Sequence, residues 1–318
     1  MEQEFSIEEL SERHRPAVVA LCRAALDLSE DAAEGEQIVT RLHGPVVPDH
    51  PSGVGPRQTI GLVAVVDQAV RGVVLGSVAH RDPSVGHVDL IAVDPGWRRQ
   101  GLGRALLGRA ESVLAARGAG EVLLAGNPPY YAWPGVDVRY TPAVCLAIAL
   151  GYQQDRTAWN MTADLASAGS PALRDTDDAQ RRLAQAGITV RRADCDDVAA
   201  LVAFTQATFG DAWAGEVAQS VGRPGAGCHL AVRTDDPSEV LGFAAYGSSR
   251  PSWFGPMGTA PTAQGLGIGA ILLRRCLRDL AEAGHQRVEI GWVGPVPFYA
   301  SAAGARIERV FFLYRKQL

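Results

Sequence analysis

The sequence predicts a protein of two successive α/β or α+β units, each about 150 residues long, because strand-like and helix-like segments alternate in the same order twice. The repetition is plainest in the string QGLG, which begins at Gln100 and again 164 positions later at Gln264. Each copy follows a strand-like run and opens a long segment with apolar residues at helical spacing. A chain of 318 residues with 47% hydrophobic content is long enough to build two buried cores.

In the first half, alternating and β-branched runs predict strands, and apolar residues three or four apart predict helices. The strand before the glycine turn ends at Asp94-Pro95, because proline cannot continue a ladder of hydrogen bonds. Gly151 is placed to end the last helix. The predicted strands are residues 5–10, 60–66, 71–79, 87–93 and 121–126, and the predicted helices are residues 15–26, 102–114 and 142–150.

The second half repeats this order. Its predicted strands are residues 188–192, 229–234, 240–247, 287–293 and 307–316, and its predicted helices are residues 196–209, 267–283 and 297–303. The segment between the halves is small, polar and punctuated by Pro and Gly, which is typical of a linker, and it contains a candidate helix at residues 177–186. We therefore predict domains at residues 1–165 and 187–318, joined by a linker at residues 166–186.

The bulk composition argues against several classes of protein. A net charge of −5 and a pI near 5.8 give no overall basic surface for nucleic acid or an anionic membrane. No stretch reaches the roughly 18 uninterrupted apolar residues of a membrane span, and the acidic start MEQEFSIEEL is not typical of a signal peptide. The five cysteines are odd in number and form no C-x-x-C pair, which argues against disulfides and zinc. We expect a cytoplasmic monomer or homodimer without a metal, nucleic-acid or membrane partner.

The glycine turns predict an anion-binding site. A helix that begins after closely spaced glycines presents several backbone N–H groups and the positive end of its dipole to one point. In the first half, Arg98, Arg99 and Arg104 add positive charge around this point. The alternative for a single copy is an ordinary helix start with a solvated arginine cluster, and two copies in matching context make that alternative less favoured.

The type of anion is narrowed by two exclusions. A P-loop needs a lysine in its motif, and Lys316 is the only lysine in the chain. A Rossmann turn follows the first strand of its unit, whereas these turns follow several strands. The Rossmann motif also needs a third small residue. In the first half Leu106 stands at that position, whereas in the second half Ala270 meets the requirement. Dinucleotide binding is therefore the second choice.

The pattern Val93-x-Pro95-x-x-Arg98-x-x-Gly101-x-Gly103 resembles the acyl-CoA signature of the GNAT superfamily of N-acetyltransferases. The order of elements in both halves and the segments 130–142 and 290–299 are also similar to that family. The chain thus resembles tandem GNAT proteins of thiol-cofactor or antibiotic biosynthesis. The resemblance implies that each domain is a mixed, mostly antiparallel sheet flanked by helices. It implies an enzyme that transfers the acyl group of acetyl-CoA, or another short acyl-CoA, to the amine of a small metabolite.

The family's binding roles carry over by position. Backbone groups of Ile91 and Val93 would hold the pantetheine arm, and the amides of Arg99, Gly101, Gly103, Arg104 and Ala105 would bind the pyrophosphate. With the two QGLG strings aligned, the second half matches Met257 to Val93 and Thr262 to Arg98, and its cradle comprises Gln264, Gly265, Gly267, Ile268 and Gly269. The arginines are then replaced by Thr262, Ala263 and Ile268, so we expect the first half to bind acyl-CoA more tightly.

In this family a carboxylate on the fourth strand often serves as base, and a tyrosine on the helix after the fifth strand often serves as acid. In the first half the matching carboxylate is Asp89, and His87 is a second candidate base. No tyrosine lies near Leu146–Ala147. The substitutes for it in the preceding loop are Tyr130, Tyr131 and Tyr140.

The second half has the opposite pattern. Tyr299, five residues before Gly304, matches the acid, whereas the QGLG alignment places Trp253 at the position of Asp89. Glu289 is a weak replacement for the base. Three interpretations stay open: catalysis by the first domain with water in place of the acid, catalysis by the second domain, or one degenerate domain that acts as a scaffold.

Two other functions stay open as well, a non-catalytic acyl-CoA-binding module and, more distantly, an NAD(P)-dependent oxidoreductase. Because loops define the acceptor site in this family, we expect residues 44–57 and 127–140 to form its walls.

Overall fold

The computed structural model describes residues 4–44, 58–79 and 82–318, and these fall into two compact units. Unit 1 comprises the described residues up to 158 together with residues 310–318, and unit 2 comprises residues 159–309. Most of the predicted segment 44–57 lies outside the described residues. Among the described residues, no helix is both long and apolar enough to cross a membrane.

Unit 1 is built around one sheet with helices on both of its faces. Its strands are β1 (Ser6–Glu9), β2 (Thr59–Val66), β3 (Ala69–Val78), β4 (Val85–Val93), β5 (Glu121–Leu124), β6 (Val136–Asp137) and the start of β7 (Gln153–Asp164). Its helices are α1 (Arg15–Ala25), α2 (Ser29–Ala33), α3 (Gly35–His43), α4 (Leu102–Ala116) and α5 (Thr141–Ala149). These bounds agree with the predicted elements to within a few residues, while α2, α3, β6 and β7 were not predicted.

Side-chain alternation along the strands gives unit 1 two cores. On one face Leu62 and Val74 pack with the apolar stripe of α4, including Leu106. On the other face Val63 and Val73 pack with α1 and α3. Neighbouring residues of a strand point to opposite faces, so a strand covered on both sides is apolar throughout. This explains the continuous apolar run of β2.

Unit 2 repeats the plan. Its elements are α6 (Asp177–Gln185), β8 (Ile188–Arg192), α7 (Val198–Phe209), α8 (Asp211–Ala218), β9 (Gly227–Arg233), β10 (Val240–Tyr246), β11 (Trp253–Thr259), α9 (Ile268–Glu282), β12 (Arg287–Ile290), α10 (Val296–Ala303) and the start of β13 (Arg306–Gln317), whose later residues belong to unit 1. Helix α9 packs on one face of the sheet. On the other face α7 and α8 close a second core in which Phe204, Phe209, Trp213 and Phe243 make edge-to-face and stacked contacts.

The two halves of the sequence exchange their last strands. In unit 1 the strand order is β1-β2-β3-β4-β5-β13, with residues 314–317 antiparallel to β5. In unit 2 the order is β7-β12-β11-β10-β9-β8, with residues 161–164 antiparallel to β12. The compact units therefore differ from the predicted division into residues 1–165 and 187–318, because strand pairing decides which unit a segment joins.

The predicted linker is not an extended tether along its whole length. Helix α6 lies inside it, and Leu183 of this helix is buried in the core of unit 2 with 4% of its surface exposed. The predicted helix at residues 177–186 is thus present at Asp177–Gln185.

Candidate active site

Strands β4 and β5 of unit 1 pair for only a short distance and then part. Their parallel pairing covers three positions and ends with His87 opposite Leu123. Beyond it β5 stops at Leu124, whereas β4 continues to Val93. A cavity of about 620 Å³ opens where the two strands separate.

A bulge in β4 marks the start of this opening. Leu90 pairs with Leu75 of β3, but Val88 pairs with Gly76, so the register shifts by one and Asp89 is the extra residue. A bulge bends its strand and locally disrupts the ladder. It places Asp89 among the residues that line the cavity.

Backbone groups of β4 face the opening beyond the bulge. The amide of Asp94 donates to the carbonyl of Arg71 on β3 at 2.9 Å. Since alternate residues of an antiparallel strand direct their hydrogen bonds to opposite sides, the backbone groups of Val93 and Ile91 point away from β3, toward the parted edge. The predicted ligand-arm residues Ile91 and Val93 thus have backbone groups at this edge.

The glycine turn forms one end of the cavity. Gly101 precedes the first residue of α4 with φ of +92°, and Arg99 also has a positive φ of +65°. A Cβ at Gly103 would lie 3.4 Å from Leu146 Cδ2 and 3.8 Å from Val93 Cγ2, so a larger side chain there would project among the lining residues. The first turn of a helix leaves N–H groups without intrahelical partners. The turn therefore presents backbone N–H groups that can bind an anion.

The structure places most of the predicted cofactor residues of unit 1 on this one cavity. Those that line it are Ile91, Val93, Arg98, Arg99, Gly101, Gly103 and Arg104. Ala105 is a correction to the prediction, because its amide donates to the carbonyl of Gly101 at 3.0 Å as the first intrahelical hydrogen bond. The amide of Ala105 is therefore already used within α4.

Arg98 differs from its two neighbours in what it binds. Its guanidinium contacts both carboxylate oxygens of Asp27 at 3.1 and 3.3 Å and the carbonyl of Ala25 at 2.8 Å. Its Nε donates to the carbonyl of Val93 at 3.3 Å. Arg98 thus ties the turn to the C-terminal end of α1, and much of its charge is compensated there.

Arg99 and Arg104 carry the remaining positive charge at the turn. Both are exposed and line the cavity. Within the described part of the chain neither forms an ion pair, in contrast to Arg98 with Asp27. These two guanidinium groups are therefore available to an anionic ligand.

Asp89 is held by a short chain of side-chain hydrogen bonds. Ser77 Oγ donates to Asp89 Oδ2 at 2.7 Å. Asn127 Nδ2 in turn donates to Ser77 Oγ at 2.9 Å and to the carbonyl of Val78 at 3.2 Å. Sequence reasoning missed Ser77 and Asn127, because only the tertiary fold brings residues 50 positions apart into contact.

His87, the second candidate base, is oriented differently. Its ring is 7% exposed, and Nδ1 lies 2.9 Å from the carbonyl of Ala125. A carbonyl can only accept, so Nδ1 carries a proton and donates it to this carbonyl. The residues that line the described cavity include Asp89 but not His87. Of the two predicted bases, the structure brings Asp89 to the cavity.

Of the three tyrosines considered as a replacement acid, Tyr140 reaches the cavity wall. Its hydroxyl donates to Asp31 Oδ2 at 2.9 Å, and Trp133 Nε1 donates to the same oxygen at 3.2 Å. Tyr140 therefore directs its proton to a fully buried carboxyl group. Tyr130 instead lies under the guanidinium of Arg41, 5.0 Å from the ring centre.

Helix α5 places Leu146 where the family pattern would have its tyrosine, and beside it Cys145 exposes a thiol to the cavity. A glycine with positive φ follows each of the two helices, Gly151 after α5 and Gly304 after α10. Leu146 and Tyr299 lie at the same distance before these glycines, so the two residues correspond. Tyr299 packs edge-to-face on Phe254, and burial raises the pKa of its hydroxyl. The predicted acid and the predicted base are thus in different units.

Unit 2 contains a second glycine turn at an equivalent position. Gly267 precedes the first residue of α9 with φ of +83°, as Gly101 does for α4. Gly265 repeats the positive φ of Arg99. The strand pairing gives the same correspondence between the units. Trp253 of β11 lies opposite Glu289 of β12, just as His87 of β4 lies opposite Leu123 of β5. All these pairs are separated by 166 positions.

The predicted alignment of the two QGLG strings is therefore wrong by two positions. The repeated letters fall at different places in the two turns, since Gln100 directly precedes the glycine that caps α4 whereas Gln264 lies three residues before the cap of α9. At the corrected offset the counterparts of Asp89, Val93 and Arg98 are Gly255, Thr259 and Gln264, in place of the predicted Trp253, Met257 and Thr262.

The corrected alignment keeps the difference in charge between the turns. Gly265 and Ala270 stand where unit 1 has Arg99 and Arg104. At Gly269 a Cβ would lie 3.4 Å from Met257 Cε, in surroundings similar to those of Gly103, so the predicted residues Gly267, Ile268 and Gly269 do form a helix start of the same shape. This second turn lacks the side-chain charge of the first.

The predicted replacement for the base in unit 2 is already engaged by other side chains. Glu289 is paired with Arg309 at 3.2 Å, and the side chains are 11% and 3% exposed. Asn160 donates to the same carboxylate. A buried carboxylate held by a guanidinium and an amide is a structural ion pair, and its lone pairs are already engaged.

Comparisons with known proteins agree with this architecture. The family described as "Acetyltransferase (GNAT) family" matches residues 27–131 and 196–302. The chain is 31% identical over 276 residues to a mycothiol acetyltransferase of Salinispora tropica, covering 80% of this chain and 76% of that protein. It is 34% identical over 175 residues to a mycothiol acetyltransferase of Thermobifida fusca, covering 52% of this chain and only 47% of that protein's length.

Two solved structures share the fold over nearly the whole chain. A tandem GNAT protein from the clavulanic acid biosynthesis pathway has a TM-score of 0.66 at 16% identity and covers 99% of this chain and 98% of its own. A GCN5-related N-acetyltransferase from Sphaerobacter thermophilus has a TM-score of 0.63 at 20% identity, covering 98% and 95%. At such identities the likeness concerns the fold alone. With one matched segment in each unit, the chain belongs to the GNAT family of acetyltransferases and carries two copies of its domain in tandem.

Proposed function

We propose that this acetyltransferase moves an acetyl group from acetyl-CoA to the amine of a small metabolite, and that unit 1 performs the transfer. The observation that carries the proposal is the meeting of two features on one cavity: the amide and arginine cradle at one end, and the Asp89 carboxyl on the bulged strand. Unit 2 has a cradle of the same shape without the arginines and without a counterpart of Asp89.

The cradle residues bind and orient the cofactor. Backbone amides at Arg99, Gly101 and Gly103 and the guanidinium groups of Arg99 and Arg104 hold the pyrophosphate. Backbone groups of Ile91 and Val93, which face the parted edge of β4, hold the pantetheine arm. Bound acetyl-CoA supplies an activated thioester at the bulge.

Asp89 acts as the base. An amine acceptor reaches the enzyme largely as its ammonium form, and it reacts only after losing a proton. Asp89 accepts that proton, directly or through a water molecule. Asp27 and Asp137 also line the cavity, but each is paired with an arginine, Asp27 with Arg98 and Asp137 with Arg139.

In unit 1 the position of the acid is occupied by Leu146, whose side chain cannot donate a proton. The departing thiolate is therefore protonated by water. A thiolate is a good leaving group at neutral pH, so this step needs less assistance than the deprotonation of the amine. We infer that water replaces the acid in this enzyme.

The acceptor is a small amine. Both curated relatives are named mycothiol acetyltransferases, so amines related to mycothiol are the first acceptors to test on this chain. A wider panel of ethanolamine, glucosamine, glycinamide and spermidine covers hydroxyalkyl, sugar, peptide-like and polycationic amines.

The test has a binding part and a turnover part. Calorimetry with acetyl-CoA measures the affinity, and release of free thiol in the presence of each amine measures transfer. Binding together with amine-dependent thiol release supports the proposal. Binding without release across all the amines would favour the non-catalytic acyl-CoA-binding module, which the missing acid also suits. A chain stabilised by NAD(P)H but not by acetyl-CoA would favour the oxidoreductase.

A further inference from the structure

A polar trio lies where β3, β4 and the end of β5 meet. It consists of Ser77 on β3, Asp89 in the bulge of β4 and Asn127, three residues after β5 ends. Ser77 is fully buried and Asn127 is 4% exposed. Buried polar side chains of this kind are costly unless they are hydrogen-bonded, so their geometry is well determined.

The direction of each hydrogen bond in the trio follows from chemistry. The carbonyl of Val78 can only accept, so the Asn127 atom 3.2 Å from it is the donor Nδ2. The same Nδ2 donates to Ser77 Oγ at 2.9 Å. Ser77 has one proton to give, and it donates that proton to Asp89 Oδ2 at 2.7 Å. The chain of donors ends on the carboxylate.

We propose that Ser77 and Asn127 are positioning residues that hold the Asp89 carboxylate in its ionised form at the bulge. The proposal rests on the role of Asp89 in the proposed function. A hydrogen bond from a neutral hydroxyl stabilises a carboxylate over the protonated acid. Because β4 and β5 no longer pair beyond His87, side-chain bonds supply the rigidity that the backbone ladder does not.

Unit 2 supports this assignment as an internal comparison. The three members of the trio are lost together there. Pairing along β10 and β11 places Gly247 at the position of Ser77, and the third residue after β12, corresponding to Asn127, is Val293. Gly255 takes the place of Asp89. Ser77 and Asn127 are thus present in the unit that has the carboxylate and absent from the unit that lacks it.

Other charged groups share the surroundings of Asp89 and would influence its titration. His87 lies two residues away on β4 with its Nδ1 proton engaged by the carbonyl of Ala125. The charged residues that line the same cavity are Asp27, Asp137, Arg98, Arg99 and Arg104. All of them remain in the variants below, so a change in titration reports the trio.

The experiment compares Ser77→Ala, Ser77→Thr and Asn127→Ala with the parent chain. The first readout is the NMR signal of the Asp89 carboxyl carbon in ¹³C-aspartate-labelled protein, followed as a function of pH. The signal is assigned by its disappearance in the variant Asp89→Asn. Ser77→Ala should raise the titration midpoint by about one pH unit, and Ser77→Thr should restore it. Asn127→Ala should shift it in the same direction by less, because it acts through Ser77.

The second readout is the pH profile of kcat/KM with acetyl-CoA and the fastest amine of the panel. Its acidic limb should move upward with the carboxyl midpoint, while the dissociation constant of acetyl-CoA stays within about twofold, since the cradle is untouched. Ser220→Ala, which removes a fully buried hydroxyl bonded to the carbonyl of Val217 in unit 2, should change neither readout.

The outcomes separate the two proposals. An unchanged Asp89 midpoint in both Ser77→Ala and Asn127→Ala would overturn the positioning role, even if Asp89→Asn is inactive. Full activity of Asp89→Asn would overturn the proposed base while leaving the carboxyl measurement valid. If Ser77→Ala fails to bind acetyl-CoA or to fold, the titration midpoint of Asp89 in Asn127→Ala decides whether the positioning role holds.

Discussion

Asp89 and Gly255 are equivalent residues: each lies at the one-residue register shift in the strand that leads to its glycine turn, 166 positions apart. At the same point of the same fold, one unit has a carboxylate held by Ser77 and the other has no side chain. The two units therefore differ in the side chain at this position, whereas their strand registers agree.

Asp89→Asn should lower kcat by about 10²-fold or more, because it removes the group that accepts the ammonium proton. The dissociation constant of acetyl-CoA should not change, since the side chain does not belong to the cradle. Steady-state kinetics with calorimetry checks both values. The matched control is Asp155→Asn, a partly exposed carboxylate at the start of β7 that pairs with Arg156, and it should keep full activity. A large loss of activity in the control would contradict the assignment.

Gly103→Val should abolish the thermal stabilisation of the chain by acetyl-CoA, because its side chain would project from 3.4 Å beside Leu146 into the cavity. The matched variant Gly269→Val makes the same change at the equivalent turn of unit 2. It should leave most of the stabilisation in place. The reverse result, with Gly269→Val losing it, would assign cofactor binding to unit 2.

Arg99→Ala and Arg104→Ala should each weaken acetyl-CoA binding by roughly threefold to tenfold, since exposed charge-assisted contacts contribute less than buried ones. The double variant should bind with a shallower dependence on ionic strength, because fewer charges face the ligand. Calorimetry at two salt concentrations measures this. Arg109→Ala, an exposed arginine further along α4, serves as the control and should bind normally. Equal losses in all three single variants would indicate a general charge effect.

Acetyl-CoA should protect Cys145 from a maleimide reagent. Cys145 is exposed and lines the cavity of unit 1, and Cys195 is an equally exposed thiol of unit 2 that serves as internal control. Burial raises the pKa of Cys22 and of Cys228 to about 12, so these thiols should react slowly in the folded chain. Mass spectrometry of labelled peptides gives the two rates. Protection of Cys195 with no effect on Cys145 would place the ligand elsewhere.

Asp197→Asn should destabilise the chain at neutral pH by about 1–2 kcal/mol, the range of a partly exposed charged hydrogen-bond pair. The guanidinium of Arg191, with both contacts at 2.6 Å, lowers the pKa of Asp197 below its ordinary value. A lowered pKa in the folded state gives stability that is present above the ordinary value and is lost as pH falls through the folded one.

The difference between the parent chain and Asp197→Asn should therefore shrink as the pH falls below about 4. Denaturant melts at several pH values measure it. Asp178→Asn, which breaks an exposed pair with Arg181, should have little effect at any pH. A constant difference for Asp197→Asn down to low pH would contradict the ionic origin of its effect.

The sequence predicted the architecture well because periodicity and turn chemistry are local. The strands around the cavity and the helix after each glycine turn lie where their patterns place them. The QGLG alignment failed for a physical reason. Two positions before each helix have a positive φ, and the first of them is Gly265 in unit 2 but Arg99 in unit 1. A glycine in the sequence indicates a possible positive φ, whereas an arginine does not. Matching identical letters then shifted the comparison by two residues.

The site was predicted less completely, because its supporting contacts join distant segments. Asp89 and the cradle were predicted from the resemblance to a family pattern. Nothing in the sequence near Ser77 or Asn127 indicates a bond between them, and Asp31 gave no signal of its contact with Tyr140 across 109 positions. The second role of Arg98, tying the turn to α1 through Asp27, depends in the same way on tertiary packing.

The exchange of end strands links the completion of one unit to the synthesis of the other. Residues 314–317 close the sheet beside β5, so a ribosome must translate all of unit 2 before the first half, unit 1, can acquire its last strand. A gene fragment cut at residue 158 would produce that half with an open edge at β5, prone to pair with another chain. Supplying residues 306–318 as a separate peptide would be the natural way to rescue such a fragment.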